Sequence, residues 1–137
     1  MVYLTRRERF NAAHRLFNPA WSETQNRAVF GKCANPNFHG HNYQLFITVK
    51  GEVDPETGFV VNVHLLGQII KKEIVEKLDH SNLNLDVDFM KNIIPSTENL
   101  AKGIWKELEK YLEDCELHCV KLLKLKIFTL SILGTRT

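Results

Sequence analysis

Hydrophobic and polar residues alternate along some stretches of this chain and recur at three- and four-residue spacing along others, and that difference assigns its elements. From Val2 to Leu16 the pattern is extended, with Phe10 and Ala12 set against Asn11 and Ala13 just ahead of His14. Tyr43, Leu45, Ile47 and Val49 alternate with Gln44, Phe46, Thr48 and Lys50, as in a strand with one buried face. The stretch VDPETG carries turn chemistry, and residues 59–63 follow it as a short extended piece. Leu65, Leu66, Ile69, Ile70, Ile74, Val75 and Leu78 then share one helical face, opposite Lys71, Lys72, Glu73 and Glu76. A second helix opens at PSTE and buries Leu100, Ile104, Trp105, Leu108, Tyr111 and Leu112. The run LHCVKLLKLKIF, from Leu117, is the last strand. This order predicts an α+β fold, with an antiparallel four-stranded sheet and two helices on one face. The polar segment from Asn18 to Arg27 reads as a loop or short helical turn, with Trp21 as a packing anchor.

Composition narrows the class. At 137 residues, 44% hydrophobic and 25% charged, the chain is long enough for one domain with a real core, spanning residues 1–137. A net charge of +2, with lysines spread among acids, argues against a nucleic-acid partner. No stretch approaches the roughly 18 apolar residues of a membrane span, and the amino-terminal segment has no apolar run, so a cytoplasmic protein with no membrane association is expected. Cysteines at 33, 115 and 119 make no even framework and fit free thiols in a reducing compartment.

The chemistry gathers between Phe30 and Val49. His39 and His41 are one residue apart, and on an extended strand that spacing turns both imidazoles to one face. His14 ends a stretch that can pair antiparallel beside it. Three neutral nitrogens with a fourth position left for water or substrate describe a catalytic zinc site, whereas a histidine taken singly is more often an ordinary surface or core residue. Cys33 is read in three ways: as a fourth ligand, a buried small hydrophobe or a reactive thiol. Its glycine-flanked polar loop beside Lys32 favours a partly exposed thiol. Asp79 and His80 fall where a helix stops, so the carboxylate either steadies a working imidazole or the pair is a helix cap. Glu98, in the first turn of a helix, is favoured there by the helix dipole alone.

Taken together, the segments FNAAHRL, FGKCANPNFHGHNY, VKGEVDPETG, LDHSNLNLDV and STENLAKGIW resemble the 6-pyruvoyl-tetrahydropterin synthase family, from about Leu4 to Leu122. The resemblance implies the tunnelling fold, in which sheets of three subunits close a barrel and two trimers stack into a homohexamer with active sites between subunits. It implies His14, His39 and His41 as ligands of Zn2+, Cys33 as the catalytic thiol, and His80 backed by Asp79 as a relay reaching that thiol from a neighbouring subunit. Thr97 and Glu98 match residues that hold the pterin ring. The implied reaction converts 7,8-dihydroneopterin triphosphate to 6-pyruvoyl-tetrahydropterin with loss of triphosphate, a carbon–oxygen lyase step of pterin synthesis. Zinc would act as a Lewis acid on the side-chain hydroxyls. The sister branch, 6-carboxy-tetrahydropterin synthase of the queuosine pathway, takes the same substrate and often has three residues between its cysteine and HGH. Here Cys33 and His39 enclose five, as in the pyruvoyl branch.

The tail, residues 123–137, is atypical. Ungapped alignment from Trp105 puts Lys124 where the family carries a pterin-anchoring glutamate, and no acid follows Leu123. An ammonium only donates hydrogen bonds and cannot accept from the amino-pyrimidine edge of a pterin. A catalytically silent homologue that binds zinc and pterin is therefore the rival expectation.

Overall fold

Two long strands, β1 (Val2–His14) and β2 (His39–Gly51), pair antiparallel over their whole length, from Val2 opposite Gly51 to His14 opposite His39. The computed structural model describes residues 1–124 and 129–134. Between the strands run helix α1 (Glu23–Phe30) and a 3-10 turn over Gly31–Ala34. Ser22 caps α1 by accepting from the Gln25 N–H at 3.1 Å, and Gly31, at φ 58°, closes it in the left-handed conformation that glycine adopts freely. The segment from Asn18 to Arg27, expected as a loop or short helical turn, is a loop as far as Ser22 and then enters this short helix, with Trp21 stacked near Phe30 at 6.1 Å between ring centroids.

After β2 the chain forms α2 (Val63–Ile70), a π-helical segment over Lys71–Val75 and α3 (Glu76–Leu78). Ile70, Ile74 and Leu78 are four apart, a spacing that drifts by roughly 40° per step around an α-helix. The wider turn absorbs that drift, and all three side chains are fully buried. Residues 59–63, expected as extended, form no strand. The Asn62 side chain accepts from the His64 and Leu65 N–H groups and starts the helix at Val63. Strand β3 (Ser81–Asn82) then pairs parallel with β1, and α4 (Thr97–Glu109) follows its cap, Ser96.

Strand β4 (Glu116–Leu123) pairs antiparallel with β2, and β5 (Leu130–Leu133) folds back on β4 with Cys119 opposite Leu133. The sheet order is β3-β1-β2-β4-β5. The α+β class and the helices on one face agree with expectation, but the sheet has five strands rather than four. β3 has only two residues, too few for a period, and the last strand is two strands rather than one. Residues 125–128 of that expected strand lie outside the described residues. Phe10, Tyr43, Leu45, Ile47, Val49, Val120 and Leu122 form the buried sheet face, covered by Leu66, Ile70, Ile74, Leu100, Ile104 and Leu108. Burial of this apolar layer is what holds the long hairpin, and everything hung on its register, in place.

Candidate metal centre and active site

Register builds the centre. Residues opposite each other on paired strands share a face, so His14 opposite His39, and Ala12 opposite His41, put three imidazoles on the core side of one sheet end. Ala12, buried and carrying a single methyl, keeps the space beside His41 open. The rings stand 4.6, 4.9 and 4.7 Å apart between centroids, at interplanar angles of 69°, 83° and 87°. One ligand nitrogen from each lies within 4.8 Å of the others, and no cysteine or carboxylate among the described residues joins the group. Phe38, directly before His39, has φ 64°, a costly conformation for a bulky residue that sets the entry to this strand.

The donor atoms are prepared for a cation. The His14 Nδ1–H donates to the Pro95 carbonyl oxygen at 2.9 Å, which leaves Nε2 with its lone pair. His14 Nε2, His39 Nδ1 and His41 Nε2 are buried with no hydrogen-bond partner among the described residues. Buried lone pairs are normally satisfied, so three together at one point fit a metal ion. Burial pushes His14 down to about 4 despite the Pro95 hydrogen bond, and the Lys124 ammonium and the neighbouring rings add to the fall. Burial, then Lys124 and His39, likewise bring His41 to about 4. His39 is lowered by burial and by Lys124. All three are neutral near pH 7, the form that binds metal.

Cys33 sits half-buried in the 3-10 turn after α1. Its carbonyl accepts from the Leu16 N–H at 2.8 Å, and Arg15 Nε donates to the Ala34 carbonyl at 2.8 Å. The thiol turn is therefore pinned to the residues that follow His14. Asp79 and His80 lie on the other side of β1. Asp79 Oδ1 accepts from the Asn11 N–H at 2.9 Å, and the His80 N–H donates to the Asn11 carbonyl at 2.7 Å. Asp79 Oδ2 lies 3.0 Å from His80 Nδ1, which donates to it and leaves Nε2 facing outward on a side chain that is 79% exposed. The Asn11 hydrogen bond, then His80, hold the Asp79 carboxyl below the usual carboxylate range. His80 itself has φ 60°. No hydrogen bond among the described residues joins His80 to Cys33. Thr97 and Glu98 occupy the first turn of α4, right after Pro95 and Ser96, with Glu98 exposed.

A family model for 6-pyruvoyl tetrahydropterin synthase matches residues 3–127. The chain belongs to that family. The human 6-pyruvoyl tetrahydrobiopterin synthase is 44% identical over 118 residues, covering 86% of this chain and 81% of the relative. The solved structure of the 6-pyruvoyl tetrahydropterin synthase of Caenorhabditis elegans superposes with a TM-score of 0.91 at 32% identity, over 98% of this chain and 96% of that one. The 6-carboxy-5,6,7,8-tetrahydropterin synthase of Bacillus subtilis is 35% identical over 93 residues, 66% of this chain and 60% of the relative. Three contributors to this synthase-family site escape a reading of side chains. The Pro95 carbonyl and the Asn11 backbone act through main-chain atoms, which carry no residue signature. Lys124 is visible in the sequence, but its place beside the histidines needs the fold. Among the described residues, no helix is long and apolar enough to cross a membrane.

Proposed function

We propose that this protein is a zinc-dependent carbon–oxygen lyase that converts 7,8-dihydroneopterin triphosphate to 6-pyruvoyl-tetrahydropterin, with loss of triphosphate. The observation that carries the reading is the convergence of three buried, unpartnered imidazole nitrogens, from His14, His39 and His41, in a chain of this family. Those residues would hold Zn2+, which when bound supplies Lewis acidity toward the substrate's side-chain hydroxyls.

The remaining chemistry falls to the chain's own groups. Cys33 gives its thiol proton to His80 Nε2 of a neighbouring subunit, and the resulting thiolate takes the proton from the side-chain carbon of the substrate. Asp79 keeps His80 in the tautomer whose Nε2 can accept. Thr97 and Glu98 hold the pterin, the Glu98 carboxylate accepting from its amino-pyrimidine edge. This division of labour requires an oligomer, a hexamer of two stacked trimers, and the outward-facing His80, with no hydrogen bond to a thiol among the described residues, supports it. Free cysteines at 33, 115 and 119 support a cytoplasmic setting.

The 6-carboxy branch is the second reading, supported by the Bacillus relative. The higher identity and coverage of the pyruvoyl relatives, and five residues between Cys33 and His39, favour the first. The test is to incubate purified protein with 7,8-dihydroneopterin triphosphate and analyse products by mass spectrometry. Triphosphate with 6-pyruvoyl-tetrahydropterin supports the proposal, and acetaldehyde release assigns the carboxy branch. No triphosphate release makes the chain a silent zinc- and pterin-binding homologue.

A further inference from the structure

The Cys33 thiol is carried on a four-residue turn outside the sheet, whereas the three histidines stand on paired strands, so strand register alone does not set the spacing between thiol and metal ligands. We infer that Asn84 is a positioning residue for Cys33, acting through Arg15. The inference rests on the proposed function for what the thiol does, while the contacts belong to the structure.

The segment that begins at Asp79 runs beside the edge of β1 and meets every second residue of it. Asp79 and His80 hold both main-chain groups of Asn11, the Leu83 N–H donates to the Ala13 carbonyl at 2.8 Å, and Asn84 comes next, at Arg15. There a side chain replaces the backbone rungs. The Arg15 N–H donates to Asn84 Oδ1 at 2.8 Å, and Asn84 Nδ2 donates to the Arg15 carbonyl oxygen at 2.9 Å. A carboxamide accepts and donates as a peptide group does, so it can serve both main-chain groups of one residue. Asn84 is itself held, because its N–H donates to Asn82 Oδ1 at 2.9 Å and Leu83 beside it is fully buried.

Arg15 stands between a metal ligand and the anchor of the thiol. His14 precedes it, and Leu16 after it donates its N–H to the Cys33 carbonyl at 2.8 Å. Arg15 Nε donates to the next carbonyl of the turn, that of Ala34, at 2.8 Å, and its guanidinium carbon lies 4.0 Å from the centre of the Phe17 ring, which restrains the side chain further. Among the described residues, these are the two hydrogen bonds that join residues 31–38 to anything beyond α1 and the turn itself. The turn is therefore placed by Arg15 and Leu16, and Arg15 by Asn84. Without the carboxamide, both main-chain groups of Arg15 lose their partner and the strut slackens, at a point where a misplacement of about 1 Å can cost about a hundredfold in rate. His14 keeps its own hold, on the Pro95 carbonyl and in the pairing with His39, so the metal site does not depend on Asn84.

The test alkylates the metal-loaded, full-length protein with iodoacetamide at a fixed alkaline pH and follows each cysteine by peptide mass spectrometry, beside kcat, KM and metal content. Asn84→Ala should speed alkylation of half-buried Cys33 several-fold while Cys115 and Cys119 keep their wild-type rates, since the opening is local. It should keep its metal and lower kcat roughly 10- to 100-fold with KM changed less than about threefold. Arg15→Met, which keeps the stem and loses the donor, should do the same, and the double variant should fall little below either single one, because both break one strut. Asn84→Asp accepts from the Arg15 N–H but cannot donate to its carbonyl; it should fall between, and it carries the test if Asn84→Ala does not fold. An unchanged Cys33 rate, equal acceleration of all three cysteines, metal loss in Asn84→Ala, or fully additive losses in the double variant overturns the inference. A wild type that converts no pterin sinks the lyase reading instead, and the alkylation rates then decide the inference alone.

Discussion

His14 donates its Nδ1–H to the carbonyl oxygen of Pro95 across 2.9 Å, tying the end of β1 to the turn that launches α4. A carbonyl can only accept, so this contact fixes the tautomer and aims Nε2 at the other two imidazoles. The turn is held in turn by Ser96, whose Oγ accepts from the Asn99 N–H at 3.1 Å. Ser96→Ala should cost about 1 kcal/mol of stability as a lost cap. It should also loosen metal affinity several-fold, less than the 10- to 100-fold that follows loss of a direct outer partner. A thermal melt alongside metal titration against a competing chelator checks both effects. A lowered melting temperature with unchanged metal affinity would show that the cap does not reach His14.

The absence of Cys33 from the converging group separates ligand from reactant. Cys33→Ala should keep its metal and assembly while turnover falls to background. His39→Ala should lose metal sharply, because two nitrogens make a poor site. Metal content by mass spectrometry and size by light scattering read both variants. Metal loss in Cys33→Ala would make the cysteine a ligand, and full metal in His39→Ala would break the centre.

Asp79 does two separable things, accepting from the Asn11 N–H with one oxygen and from His80 with the other. Asp79→Asn can still accept from Asn11 but turns a donor toward His80, which favours the wrong tautomer. Its folding stability should change little while kcat falls roughly 10²- to 10⁴-fold, the range for a positioned acid or base. Asp79→Ala should lose the same activity and also about 1–3 kcal/mol, because the Asn11 N–H is left without its partner. Urea midpoints and kcat for the pair test the split. Equal loss of stability in both variants would mean that the carboxylate serves the fold alone.

The metal residues were legible in the sequence because strand periodicity and an antiparallel hairpin suffice to bring positions 14, 39 and 41 to one face. The register that makes His14 face His39 was only implied, since thirteen paired positions must hold for it to be true. Helix α2 was legible from its apolar spacing, but not the π-helical segment that lets Ile70, Ile74 and Leu78 point the same way. The break after Leu123 gave no signal. No glycine or proline separates Leu123 from Leu130, and alternating lysines and apolar residues read as one continuous strand. Lys124 looked like a defect for the same reason, because what it faces is decided by that break and by the histidines across the sheet.

Low proton affinity in the histidines makes the metal-free protein acid-sensitive in a defined window. His14 in the folded chain titrates at about 4, against an ordinary value of 6.5. Between those values the unfolded chain binds a proton that the folded chain refuses, so stability falls as pH drops from 6.5 toward 4 and is level outside that range for this group. For His14, which is fully buried, the loss is on the order of 3 kcal/mol. His41 adds a smaller loss of the same sign because it is only half-buried. Asp79, held below the usual carboxylate range, gives up its contribution at more acid pH, so this window belongs to the imidazoles. Urea midpoints of the metal-free protein across the window should therefore decline steeply, and His14→Gln, which cannot titrate, should show a shallower decline. Metal should move the decline to lower pH, because bound nitrogens resist protonation. Equal slopes in the wild type and His14→Gln would remove His14 as the source.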